Sequence, residues 1–187
     1  LNKIKVNYKD EMAYYDMAFF LKKYVNKDTI IICIGTDRCI GDCLGPLVGS
    51  LLNHKGFPLD VYGTIHHPIH ALNLEKNVND IKSKHPKGNI LAIDACLGDI
   101  NSIGQLHCRD YAIHPGKGVG KVLPDVGDIS IVGIVDSSDN SELFTSRNIR
   151  LSLIIDMARV IVQSLFHVLS LDIENDISLE SIERNFI

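Results

Sequence analysis

The chain has 187 residues, a length that suits one domain with a core of its own. With 45% hydrophobic and 22% charged residues it is too apolar for wholesale disorder, and its formal net charge of -4, with lysines and arginines scattered among acids, offers no basic nucleic-acid face. Five cysteines, at positions 33, 39, 43, 96 and 108, are an odd number at a length that needs no disulfide scaffold, which points to reduced thiols and a cytoplasmic protein.

Residues 1–27 read as an N-terminal helical segment, amphipathic over 10–26. Its apolar patch from Met17 to Leu21 lacks a cleavage-like end, so no signal peptide is read there. Residues 28–35 are β-branched and nearly all apolar, which predicts a strand buried on both faces, as in a parallel sheet. The loop "IGTDRCIGDCLGP" follows, and Pro46 fits the first turn of a helix that runs to about Lys55 and stops at Gly56. Residues 59–65 read as a second strand, 71–84 as an amphipathic helix, and 89–94 as a third strand that ends on Asp94. Residues 103–113 read as a fourth, edge-like and antiparallel strand, and 129–135 as a fifth. The long apolar stretch over 146–169 is interrupted by Arg150, Asp156, Arg159, Gln163 and His167, which favours a core helix over a membrane span. A weaker helical tail is expected from about 176.

Strands alternating with helices predict an α/β fold, a three-layer α/β/α sandwich on a mixed, mostly parallel sheet. The expected organisation is a single domain over 1–187, with its α/β core at 28–169 and a helical tail at 170–187. In such sheets ligands sit beyond the carboxyl ends of the strands, where strand order reverses. If the order begins 2-1-3, Asp42 and Asp94 face one crevice from neighbouring loops. A carboxylate pair suits acid/base work or a cation. Asp42 could instead cap the helix that follows it, and Asp37 with Arg38 could be a turn pair. Asp94 closes an apolar strand, where an unpaired charge is costly.

Gly35, Gly41 and Gly45 allow tight turns and close approach of backbone to a ligand, but their spacing matches neither nucleotide-binding glycine pattern. The loop "IHPGKGVGKVLP", residues 113–124, carries Gly116, Gly118 and Gly120 with His114, Lys117 and Lys121, and reads as a substrate-contact loop. Cys39, Cys43 and Cys96 flank the two acids without a standard zinc spacing. His66, His67 and His70 form a cluster that resembles a metal site but lies at a strand–loop junction.

Together "IGTDRCIGDCLGPLVG", "VYGTIHHPIHALNL", "AIDACLG", "PGKGVGKVLPDVGDISIVGIV" and "RLSLIIDMARVI" resemble the sporulation protein family called YyaC, over about residues 28–165. That family looks like a relative of the spore germination protease and, more remotely, of the hydrogenase maturation endopeptidases. The protease's loops are matched by Asp42 to Pro46, by Ile93-Asp94-Ala95 and by Ile113 to Gly120. The resemblance implies a phosphorylase/hydrolase-like fold and a peptidase-like hydrolase with Asp42 and Asp94 as catalytic residues. Substrate contact is expected of Asp37, Gly41, Gly45, His114, Gly116, Gly118, Gly120 and Lys121. In the hydrogenase endopeptidases the corresponding acids and a histidine hold nickel. That histidine has no matched position here, so no cofactor is expected beyond a weakly held divalent metal. This chain is much shorter than the germination protease and lacks its extra segments, so that enzyme's substrate and zymogen control are not carried over. The expected partner is a protein or peptide substrate, with neither nucleic acid nor membrane, and homo-oligomerisation is left open. The competing reading is a binding protein that keeps the fold and recognises a peptide or metal without cutting.

Overall fold

The computed structural model of the protein describes residues 1–115, 123–138 and 149–183, with side chains as far as Leu171 in the last stretch. Six strands form one sheet: β1 (Lys3–Asn7), β2 (Ile30–Cys33), β3 (Val61–Tyr62), β4 (Ile90–Gly98), β5 (Gln105–Arg109) and β6 (Ile129–Ser137). Four helices accompany them: α1 (Ala13–Leu21), α2 (Leu44–His54), α3 (Leu74–Lys84) and α4 (Leu151–Glu183). The strand order is β1-β5-β6-β4-β2-β3, so β3, β2 and β4 carry the expected 2-1-3 arrangement. The strands β3, β2, β4 and β6 run parallel; β5 is antiparallel to β6, and β1 is antiparallel to β5, so β1 runs in the same direction as the parallel set.

Strand alternation divides the core in two. Ile31 and Cys33 of β2, with Leu91 and Ile93 of β4, face α1, α2 and α4. Ile30 and Ile32 of β2, with Ile90 and Ala92 of β4, face Leu74, Val78 and Ile81 of α3, beside Ile113 and Val126. The central strands are apolar on both sides because both sides are covered, and the result is an α/β sandwich on a mixed sheet.

Three expectations are corrected. The antiparallel β5 is not an edge strand, because β1 pairs along its whole length from Lys3↔Arg109 to Asn7↔Gln105. The Lys-Ile-Lys-Val-Asn alternation of β1 is a strand signal, but it is only five residues long. The second strand shrinks to Val61–Tyr62 because Gly63, at φ +85, turns the chain away. The predicted long helix and separate tail are one helix, since the sequence holds no glycine or proline between 151 and 183 to break it.

Candidate functional site

The site begins where β2 leaves the sheet. The Ile34 N–H donates to the Ile93 carbonyl at 2.7 Å, and the Gly35 N–H to the Ile69 carbonyl at 2.8 Å. Gly35 then takes φ +134, and a Cβ there would stand 2.0 Å from the main-chain oxygen of Asp42. Only glycine lets the loop fold back so closely. The loop is closed by the Thr36 N–H, which donates to that same Asp42 oxygen at 3.0 Å. A single 3₁₀ turn, Ile40–Asp42, returns the chain to the sheet and touches β4. Cys43 is the residue before α2, and no side chain caps the helix there, so Asp42 is not its cap. The Asp42 carboxyl is left to do something else.

Asp94 does not end its strand. Pairing of β4 with β2 stops at Cys33↔Ile93, whereas pairing with β6 continues through Asp94↔Val132 to Gly98↔Ser137. Asp94 is therefore the first residue of β4 without a β2 neighbour. A crevice opens there because Gly35 has diverted β2. From β2 the chain runs to β3 on one side and later returns to β4 on the other, so this is the point where strand order reverses.

The electrostatics of the two acids differ. Burial raises Asp42 to about 6, offset in part by the Thr36 backbone N–H. Asp94 keeps some solvent contact, but protein surrounds its carboxyl closely. Burial first, and the Asp42 charge second, hold it well above the usual carboxylate range. Its one compensation is the Ala95 N–H, which donates to Oδ1 at 2.8 Å. The two acids thus sense one another, and Asp94 keeps its proton longer.

Around them stand thiols that stay protonated. Burial, and then Asp94, push Cys96 up to about 11. Burial raises Cys43, followed by Asp37, Asp42 and Cys39. Protonated thiols are poor nucleophiles and poor metal ligands. Among the described residues no three His, Cys, Asp or Glu side chains come together as a metal cage.

The remaining expected site residues scatter more widely. Asp37 is exposed on the loop, within electrostatic reach of Cys43. Gly41 is buried in the 3₁₀ turn. Gly45 is buried in the first turn of α2, where a Cβ would meet the Ile34 carbonyl oxygen at 2.1 Å. His114 is exposed and its Nδ1 pairs with Asp125 across the Ile113↔Val126 bridge. Gly116, Lys117, Gly118, Gly120 and Lys121 lie outside the described residues. His66 and His67 are exposed, and His70 is engaged at the start of α3, with its N–H on Asn73 Oδ1 at 2.8 Å. The sequence reading passed over His107 and Arg109, although Gln105-Leu106-His107-Cys108-Arg109 alternates polar and apolar in a way that marks them as one face.

Comparison with known proteins agrees with the extent of this architecture. The family described as "Protein of unknown function (DUF1256)" matches residues 5–164. The uncharacterized protein YyaC of Bacillus subtilis (strain 168) is 44% identical over 146 residues, covering 78% of this chain and 71% of that protein.

Proposed function

The chain belongs to the DUF1256 family, and from its two unequal carboxyls we propose a peptidase-like hydrolase that uses Asp42 and Asp94 as an acid/base pair. The observation that carries this reading is the asymmetry. Asp42, raised to about 6, ionises first, while Asp94, held well above the usual carboxylate range by burial and by the Asp42 charge, is the one that retains a proton to higher pH. Two titratable groups whose surroundings drive them apart are what a general base and a general acid require.

The Asp42 carboxylate takes a proton from water as the water oxygen bonds to the scissile carbonyl carbon. Asp94 gives its proton to the carbonyl oxygen, which yields a gem-diol. As the C–N bond breaks, Asp42 passes its proton to the leaving amine and Asp94 takes one back from a gem-diol hydroxyl, which leaves a carboxylic acid and an amine and restores the starting state. The resemblance of the Asp42 and Asp94 motifs to those of the spore germination protease supports the same assignment and suggests a spore protein as substrate. This reading gives Asp37 and His114, both exposed, contact with the substrate beyond the pair.

The test is incubation of the protein with an extract of spore proteins, read by mass spectrometry for new peptide termini. Asp42→Asn and Asp94→Asn are run beside the wild type. New termini should form with wild type and fall by about a hundredfold or more in each variant. Unchanged substrates, with a partner retained equally by all three proteins, would replace the enzyme with a binding role.

A further inference from the structure

The side of the sheet that carries Asp94 continues past it into a group of cations. Residues directly opposed on neighbouring strands share a face. Asp94 stands opposite Val132, Val132 opposite His107, and His107 opposite Lys5. In the adjacent row Ser130 is followed by Arg109 and Lys3. On this side α3 covers β2 and β4, whereas α1 packs on β1 and β5 from the opposite side. Lys3 and Lys5 are exposed, and neither has a carboxylate in ion-pair contact among the described residues.

Lysines on an outer strand can serve simply to keep two sheets from pairing. Two observations go beyond that role. Arg109 lies one strand inward, and its buried Nε has no acceptor among the described residues. Its Nη2 has only a long contact of 3.4 Å with His107 Nδ1, and its guanidinium lies 5.7 Å from the Tyr111 ring centre. A guanidinium donor removed from water without an acceptor is costly, and an incoming carboxylate would relieve it. His107 reports the same uncompensated field. Burial, and then Arg109, Lys5 and Lys3, push its imidazole down to about 4. The carboxylate of Asp110, the residue after Arg109, turns to Asn2, from which it accepts at 2.7 Å and 3.0 Å.

The backbone of β1 is also available. The Asp110 N–H donates to the Asn2 carbonyl and the Tyr8 N–H to the Gly104 carbonyl, so even-numbered residues make the ladder bonds with β5. By alternation the N–H and C=O groups of Lys3 and Lys5 point off the open edge.

We infer that this face binds an acidic, extended segment of a partner protein, added as a further strand along β1. Its backbone pairs with Lys3 and Lys5, and its alternate carboxylates face their ammonium groups and reach inward towards Arg109. This surface is distinct from the carboxyl pair, and its readout is binding, so it stands or falls apart from hydrolysis.

The probe is a fluorescein-labelled peptide of about ten residues that alternates glutamate and threonine, a pattern suited to a strand with one acidic face. Fluorescence anisotropy with the full chain at low salt should show saturable binding. The Lys3→Gln/Lys5→Gln double variant, altered only at exposed positions, should bind about tenfold more weakly. Amide exchange at residues 3 and 5 should slow on peptide addition. Any of three results would overturn the inference: no binding at millimolar peptide, equal binding of the glutamine–threonine analogue, or tighter binding of an oligothymidylate of matching length. Binding that leaves the amides of residues 3 and 5 unprotected would also exclude the added strand.

Discussion

Asp42 and Asp94 are carboxyls that the native state would rather keep neutral. A carboxyl whose folded pKa lies above its unfolded value supports folding most at low pH, and that support is lost as pH rises through the folded value. For Asp42 the window runs from 3.8 to about 6. A carboxyl moved that far costs the native state about 3 kcal/mol once both states are ionised. Asp42→Asn should therefore be more stable than wild type by about 2–3 kcal/mol at pH 8, and nearly equal to it at pH 4. Urea unfolding across that range measures the difference, and a gap that does not widen with pH would mean that the Asp42 carboxyl is not desolvated. Asp94→Asn should behave in the same sense over a window that extends higher, since Asp94 is raised well above its usual range. Under the proposed hydrolase, gain of stability with loss of hydrolysis in the same variants would be the usual exchange at a functional site.

At the scale of elements the crevice is made by two glycines that the strand pattern alone does not explain. Gly35 turns β2 out of the sheet, and Gly45 lets α2 start against the Ile34 backbone. Gly45→Ala places a methyl 2.1 Å from the Ile34 carbonyl oxygen, with backbone on both sides of the clash. It should lower stability by about 2 kcal/mol or more. Substrate contact predicts something different, an unchanged unfolding midpoint with a raised KM, so one variant separates the two roles. The sequence made these elements legible wherever a pattern was long and local. The apolar run of β2, Pro46 in the first turn of α2 and Gly56 after it were all readable. The five-residue β1 was too short to stand out, and the extension of β4 beyond Asp94 depends on pairing with β6, some forty residues further along. Asp42 and Asp94 were readable as a pair because one lies in the loop after a parallel strand and the other at the end of the apolar run of its parallel neighbour, although β4 continues past it. That Asp42 does not cap α2 could be learned only from the 3₁₀ turn that it closes, which leaves Cys43 as the residue before α2.

Across the whole molecule the two faces of the sheet hold different kinds of material. One is closed by α1, α2 and α4, and the other, over β2 and β4, by α3 and the segment around Ile113 and Val126. The stretch Leu151–Leu171 of α4, with mean hydropathy 1.5, is long and apolar enough to cross a membrane by length and composition. In the fold Ile154, Met157, Ile161 and Leu165 are buried in the larger core. None of the five cysteines is in a disulfide, and they sample this core at different depths. Cys33 on β2 and Cys108 on β5 are fully buried, and burial drives both thiols far above their usual range. Cys39 on the loop is half-exposed. Because the thiolate is the reactive form, alkylation of Cys33 and Cys108 has to wait for the sheet to open, whereas Cys39 can react in the native state. Iodoacetamide at pH 8, followed by mass spectrometry of tryptic peptides, should label Cys39 first and label Cys33 and Cys108 together, at a rate that rises with urea as global stability falls. If Cys33 were labelled well ahead of Cys108, the β2 side of the sheet would be opening by itself. The crevice at Asp42 and Asp94 would then belong to a locally mobile edge and not to the cooperative core.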